Sequence, residues 1–210
     1  GGMNMKTFRF ETKVLNDATL KFAADEMKVN QEYVSLKVVE EKHGLLGLNK
    51  NYVVEAVVNF DPINDSIRFL QMILTDMEIK AIVEAHQGEE NNFTFTIDAE
   101  ENPILIGRNG KTLDAIQTLL KNYINIFTDE HYMVLVDIGG YKEQRKKQLE
   151  ILATKTAKEV AKSRISVCLN KMNAYERRVI HTKLSDWRDV TTESEGEEPN
   201  RYVVIRPKAK

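Results

Sequence analysis

Residues 107–112 read Gly-Arg-Asn-Gly-Lys-Thr, two glycines three positions apart followed by a lysine and a hydroxyl. Such a run can do one kind of chemistry, which is to hold phosphate. The glycines let the chain reverse tightly and let another backbone come close without interference from a Cβ. Amides at the start of a following helix, helped by the helix dipole, then meet the anion. Two ligands fit, a nucleotide and a nucleic-acid backbone. Gly110-Lys111-Thr112 matches the end of the nucleotide loop G-x-x-x-x-G-K-[ST], whose first glycine would stand at position 105. Leu105 stands there. The preceding "ENPIL" holds a proline and lacks the buried strand that feeds such a loop, and no second acidic strand offers to hold magnesium. The nucleic-acid reading is left. In it Gly107, Arg108, Asn109 and Gly110 form a G-x-x-G clamp on a sugar-phosphate chain, with Ile106, Lys111 and Thr112 beside them. Arg108 and Lys111 would add charge, and bases would lie along an adjacent apolar groove.

A second cluster follows later in the chain. Arg177 and His181 are four residues apart, hence on one helical face, with Arg178 beside them. One reading is a cationic edge for phosphates, His181 donating to a phosphate or stacking on a base. The other is a surface helix whose histidine satisfies a local hydrogen bond. Trp187 and Tyr202 could stack on bases, although a single tryptophan in a small module better fits its core. Arg201 and Arg206 have opposite parity in a strand, so at most one joins such a patch. Enzymatic chemistry finds no carriers. His43, His86, His131 and His181 lack metal-site spacing, and Cys168 in an apolar strand reads as a buried small hydrophobe. The pairs Glu40-Glu41, Glu89-Glu90 and Glu197-Glu198 fall at turns or strand ends. No catalytic residue, metal site or cofactor is expected.

The elements that must position these residues can be read from periodicity. "TFRFET" (7–12) alternates as a strand, and Thr12 would cap a helix with Val14, Leu15, Ala18, Phe22 and Ala23 on one stripe. "EYVSLKVVEE" and "YVVEAVVNF" are strands about the turn "KHGLLGLNK", giving β-α-β-β over 3–60. Asp61-Pro62 closes this module. From 63 to 140 the order is α-β-β-α-α-β. Its first helix carries Ile67, Leu70, Ile73, Leu74 and Met77, with Asn64 or Asp65 as cap. A hairpin turns at "GEE", with Phe93, Phe95 and Ile97 on one face. "ENPILIG" is a short helix that tolerates Pro103 in its first turn. Leu113, Ile116, Leu119, Leu120, Tyr123 and Ile124 mark a longer helix, and "HYMVLVDI" a heavily buried strand. Residues 141–163 predict a long connecting helix between two units. Residues 164–210 predict a short strand at "ISVCL", a helix opened by Asn173 and Glu176 as a capping box, and two strands joined by "EGEEPN".

Charge is unevenly spread along these modules. The net formal charge of −2 argues against a nucleic-acid binder, yet residues 1–100 carry 10 Lys+Arg against 17 Asp+Glu, and residues 141–190 carry 13 against 6. A basic region joined to an acidic one suggests an electrostatic footprint. Gly1-Gly2 before Met3 reads as a cleavage scar. No run approaches the ~18 apolar residues of a membrane span. With one cysteine and no signal-peptide pattern, the expected compartment is the cytoplasm.

Residues 63–139, with the G-x-x-G between two helices of an α-β-β-α-α-β unit, resemble a type II KH domain, whose loop clamps about four nucleotides. "MNAYERRVIH" and "SEGEEPNRYVVI" resemble the single-strand-binding domain named for its Arg-x-x-x-His motif, the R-three-H domain. "HGLLGL" is similar to the Jag N-terminal domain. Together these resemble the Jag (SpoIIIJ-associated) family of bacterial RNA-binding proteins over essentially the whole chain. The resemblance implies an α+β protein of three small modules: a β-α-β-β Jag-N domain, a type II KH domain, and an R-three-H domain with a helix on a small mixed or antiparallel sheet. It implies binding of single-stranded RNA, with single-stranded DNA as an alternative, at Ile106–Thr112 and at Arg177, Arg178 and His181. It also implies post-transcriptional regulation linked to sporulation, cell shape or elongation, and a small KH-domain protein partner or self-association. Many relatives carry a long charged linker after Jag-N, where this chain has only "NFDPIND". An adaptor that recruits proteins through Jag-N and the KH sheet edge is the rival reading.

Overall fold

In the computed structural model, which describes residues 4–43, 50–88 and 92–208, the alternating run Thr7–Thr12 is strand β1. It is followed by α1 (Asp17–Met27), β2 (Val34–His43) and β3 (Lys50–Val58). The three strands form an antiparallel sheet in the order β1-β3-β2, with a register shift between Val38 and Glu40. The β-α-β-β order is the expected one, but the helix starts later. Asn16, not Thr12, is its cap, Oδ1 accepting from Thr19 N at 3.1 Å, while Thr12 Oγ1 turns back onto Val14 O. That later start rotates the buried stripe onto Ala23, Ala24 and Met27 and leaves Val14, Leu15 and Phe22 exposed. Most of the expected "HGLLGL" turn, residues 44–48, and residues 89–91 of the later hairpin turn lie outside the described residues.

The next six elements are α2 (Asn64–Asp76), β4 (Ala81–Gln87), β5 (Asn92–Ala99), α3 (Asn102–Ile106), α4 (Lys111–Ile126) and β6 (Met133–Ile138). Their sheet runs β4-β5-β6, with β4 antiparallel and β6 parallel to β5. Phe93, Phe95 and Ile97 are buried as a set, as is the stripe Leu113, Ile116, Leu120 and Ile124 of α4, which packs on β6. Leu119 falls outside that stripe and is exposed. Asp61 does the capping expected of Asn64 or Asp65, accepting the N–H groups of Ile63 and Asn64 at 3.0 and 2.9 Å. The Asn64 bond leads in holding the Asp61 carboxyl below its ordinary 3.8. The heavy burial expected of β6 is found on one face only. Val134, Val136 and Ile138 point inward and Met133 and Leu135 outward, because β6 is an edge strand covered on one side.

These two modules share one compact unit, Gly1–Gly139. Aromatic rings join them. Phe60 and Phe127 stack at 4.1 Å, Tyr33 and Phe127 lie 4.6 Å apart, and the Tyr33 and Tyr123 hydroxyls meet at 2.9 Å. Lys6 N donates to Phe127 O at 3.0 Å beside a bridge between Met5 and Thr128. The short 59–65 connection is thus part of a packed interface.

The second unit, Gly140–Lys210, holds α5 (Tyr141–Ser163), β7 (Val167–Cys168), α6 (Ala174–Leu184), β8 (Val190–Glu195) and β9 (Tyr202–Pro207). Its antiparallel sheet runs β7-β9-β8. The helix expected to act as a connector supplies one wall of this unit's core: Leu149, Ala153, Ala157 and Val160 pack with Ile180, Leu184, Val203 and Ile205. Cys168 is exposed, against expectation, because β7 is a two-residue edge strand that turns Val167 towards the core and Cys168 out. Trp187 packs on the core as expected. The Asn173–Glu176 capping box is present in both directions. No helix among the described residues is long and apolar enough to cross a membrane.

Candidate nucleic-acid interface

The corner between α3 and α4 is made by three residues with positive φ. Gly107 sits at φ 68°, ψ −178°, a region open essentially to glycine alone. Asn109 (56°, 34°) and Gly110 (76°, 11°) are left-handed. A Cβ at Gly107 would strike the Thr112 side chain and come within 3.1 Å of Thr112 N, so this glycine is fixed by space as well as by torsion. Asparagine is among the few non-glycine residues that visit the left-handed region readily. The Arg-Asn inner pair is therefore a conformational choice, which a count of charges does not reveal. The turn is closed by Gly107 N on Pro103 O at 3.0 Å and Gly110 N on Gly107 O at 3.3 Å.

This geometry leaves a small electropositive corner facing outward. Arg108, Asn109 and Lys111 are exposed, Gly110 is buried beneath them, and Ile106, Gly107 and Thr112 are half-buried. Arg108 and Lys111 pair with no carboxylate among the described residues. α4 begins without a side-chain cap; Lys111 N–H donates to Arg108 O within the turn. Ile104, exposed on α3 just before the turn, adds apolar surface.

The second cluster is built differently. Arg177 is only 7% exposed. Its Nη1 donates to Met172 O at 2.8 Å and its Nη2 to Glu198 Oε1 at 2.6 Å, tying the start of α6 to the β8–β9 turn. The guanidinium read as a phosphate contact is thus engaged inside the unit. His181 is half-buried against β8, with Nδ1 2.7 Å from Thr192 Oγ1 and Nε2 2.7 Å from Ser194 Oγ. Burial, then the charge on Arg177, lowers its pKa below 6.5, so the ring is neutral at pH 7. Both ring nitrogens have partners already, which leaves no nitrogen free to donate to a phosphate. The i, i+2 spacing of Thr192 and Ser194 on one strand face was the available signal for these partners. Arg178 alone of the three points out, with no ion pair among the described residues. Arg206 is neutralised by Glu193 and Glu195.

An α-β-β-α-α-β module with an open G-x-x-G corner, followed by a helix-on-sheet module bearing Arg-x-x-x-His, defines a protein that pairs a KH domain with an R-three-H domain. Family models agree: the KhpA/KhpB KH domain matches residues 67–138 and the R-three-H domain residues 147–207. The chain belongs to the KhpB (Jag) family. It is 32% identical over 196 residues to the RNA-binding protein KhpB of Clostridium symbiosum, covering 92% of this chain and 88% of that one. It is 32% identical over 197 residues to the protein of the same name from Bacillus subtilis strain 168, covering 91% and 94%. The namesake in Streptococcus pneumoniae serotype 2 is 29% identical over 201 residues, 92% of this chain but 58% of that longer one.

Proposed function

We propose that this chain is a non-enzymatic protein that binds single-stranded RNA in the cytoplasm, gripping the sugar-phosphate backbone with the corner Ile106–Thr112. The exposed, uncapped corner with two unpaired cations carries the reading. The relatives named RNA-binding protein KhpB support it. In the C-terminal unit Arg178 makes the ionic contact of the Arg-x-x-x-His helix, while Arg177 and His181 hold that helix to its sheet. On family resemblance, the role is post-transcriptional control linked to sporulation or cell elongation, with a small KH-domain protein or a second copy as partner.

The experiment is a titration of labelled single-stranded RNA at ~50 and ~200 mM salt. A binder with several phosphate contacts weakens steeply over that range. Arg108→Asp with Asn109→Asp, in a folded protein, should abolish most of the affinity by setting two carboxylates at the corner. Undiminished affinity would sink the clamp. If the wild type does not bind at all, the adaptor reading takes its place. The outward sheet face with Ile82, Met133 and Leu135 exposed is then the surface to map.

A further inference from the structure

The outward face of α5 carries a charge pattern that the Arg-x-x-x-His motif does not use. At 3.6 residues per turn, Lys147, Ile151, Lys155, Lys158 and Lys162 share one stripe, opposite the buried Leu149, Ala153, Ala157 and Val160. From Lys147 to Lys162 the stripe runs about 22 Å. A solvated helix normally alternates signs at i, i+4 so that neighbours neutralise each other. Here no carboxylate lies on the stripe. Glu143 and Glu150 border it on one side and are already engaged, with Lys147 at 3.6 Å and Lys183 at 3.9 Å, and Glu159 borders it on the other. Lys155, Lys158 and Lys162 have no ion-pair partner among the described residues.

Between this stripe and α6 lies an open groove of about 530 Å³, lined by Lys147, Ile151, Thr154, Lys155, Lys158 and Lys183, with Glu150, the ion-pair partner of Lys183, as its one carboxylate. Ile151, in the middle of it, is 69% exposed. Water gains nothing from an isoleucine set among ammonium groups, whereas a nucleobase laid on it would remove apolar surface from solvent. The lysine stems add apolar walls while their heads reach outward. A row of cations beside an apolar platform is the composition of a single-strand site.

We infer that the α5–α6 groove is a second RNA contact surface, with Lys155, Lys158 and their neighbours on backbone phosphates and a base against Ile151. This rests on the proposed RNA binding and names a site separate from both the G-x-x-G corner and the Arg177–His181 pair. The test uses the full chain and labelled single-stranded RNA of mixed sequence at two salt concentrations. Lys155→Gln with Lys158→Gln removes two exposed charges that support no fold contact. Affinity should drop roughly tenfold, and the salt slope should shrink by about 1.4, near 0.7 per lost contact on a single strand. Lys155→Arg with Lys158→Arg should bind like wild type. If the glutamine variant keeps wild-type affinity and slope while the Arg108→Asp, Asn109→Asp variant loses binding, the groove is overturned and RNA binding stands. If the arginine variant fails as the glutamine variant does, charge is not the cause and the groove is overturned again. A wild type that never binds RNA removes both.

Discussion

Under the proposed RNA binding, the two units meet a polyanion in opposite ways. Residues 1–139 carry 13 Lys+Arg against 22 Asp+Glu, and residues 140–210 carry 17 against 10. In the first unit the summed field repels phosphate, so attraction must be local. On the proposed function the G-x-x-G corner supplies it, through torsions that only glycine and asparagine take comfortably and through the exposed Arg108 and Lys111. In the second unit the field is favourable and no special backbone is needed. There α6 already has its amides occupied by a capping box, and the two signature side chains are locked into the fold. A motif can thus mark a binding module without its letters being the contacts.

The largest expected effect tests the backbone side of that contrast. Gly107→Ala places a Cβ against Thr112 and holds alanine in a glycine-only region. Destabilisation of about 2–3 kcal/mol should follow in chemical denaturation, together with weaker RNA binding and little change in salt slope, since no charge is lost. Full retention of both stability and affinity would mean that the corner is not shape-determined.

Next in size is Arg177→Lys, which keeps the charge but not the fork that serves Met172 O and Glu198 together. Loss of about 1–2 kcal/mol is expected, with the affinity of the folded protein unchanged. If Arg177 is instead a free phosphate cation, lysine would leave stability and binding both at the wild-type level.

What can be read from the chain alone follows from the same contrast. Most strands and helices that face one core announce themselves by period, α1 excepted, and the G-x-x-G and capping-box residues stand at fixed offsets along the chain. Misreadings arise where tertiary context decides. α5 reads as a connector between two units because its apolar residues do not say which core they enter; Leu149, Ala153, Ala157 and Val160 join the core of the second unit. β6 reads as buried because Met133 and Leu135 are apolar on an open face. Arg177 reads as free because one partner is a backbone carbonyl, Met172 O, and the other, Glu198, lies in the β8–β9 turn and meets it only in the folded unit. The side-chain pattern shows which residues could bind an anion; the hydrogen bonds show which still have the capacity.

The smallest effect sharpens the second unit's side of the comparison. Burial and Arg177 depress the His181 pKa below 6.5, the value expected when the chain unfolds. Between the two values the unfolded chain takes up a proton that the folded one refuses, so stability rises with pH there. The contribution of the neutral ring is therefore intact above about pH 6.5 and is lost as pH falls below it. Denaturation midpoints at neutral and mildly acidic pH should show a loss in wild type that is reduced in His181→Gln, whose amide can still meet Thr192 or Ser194. The salt slope for RNA at neutral pH should be the same in both, because an uncharged ring releases no counterion. An equal acid response in the two proteins, or a shallower slope in the glutamine variant, would return His181 to the phosphate-binding residues.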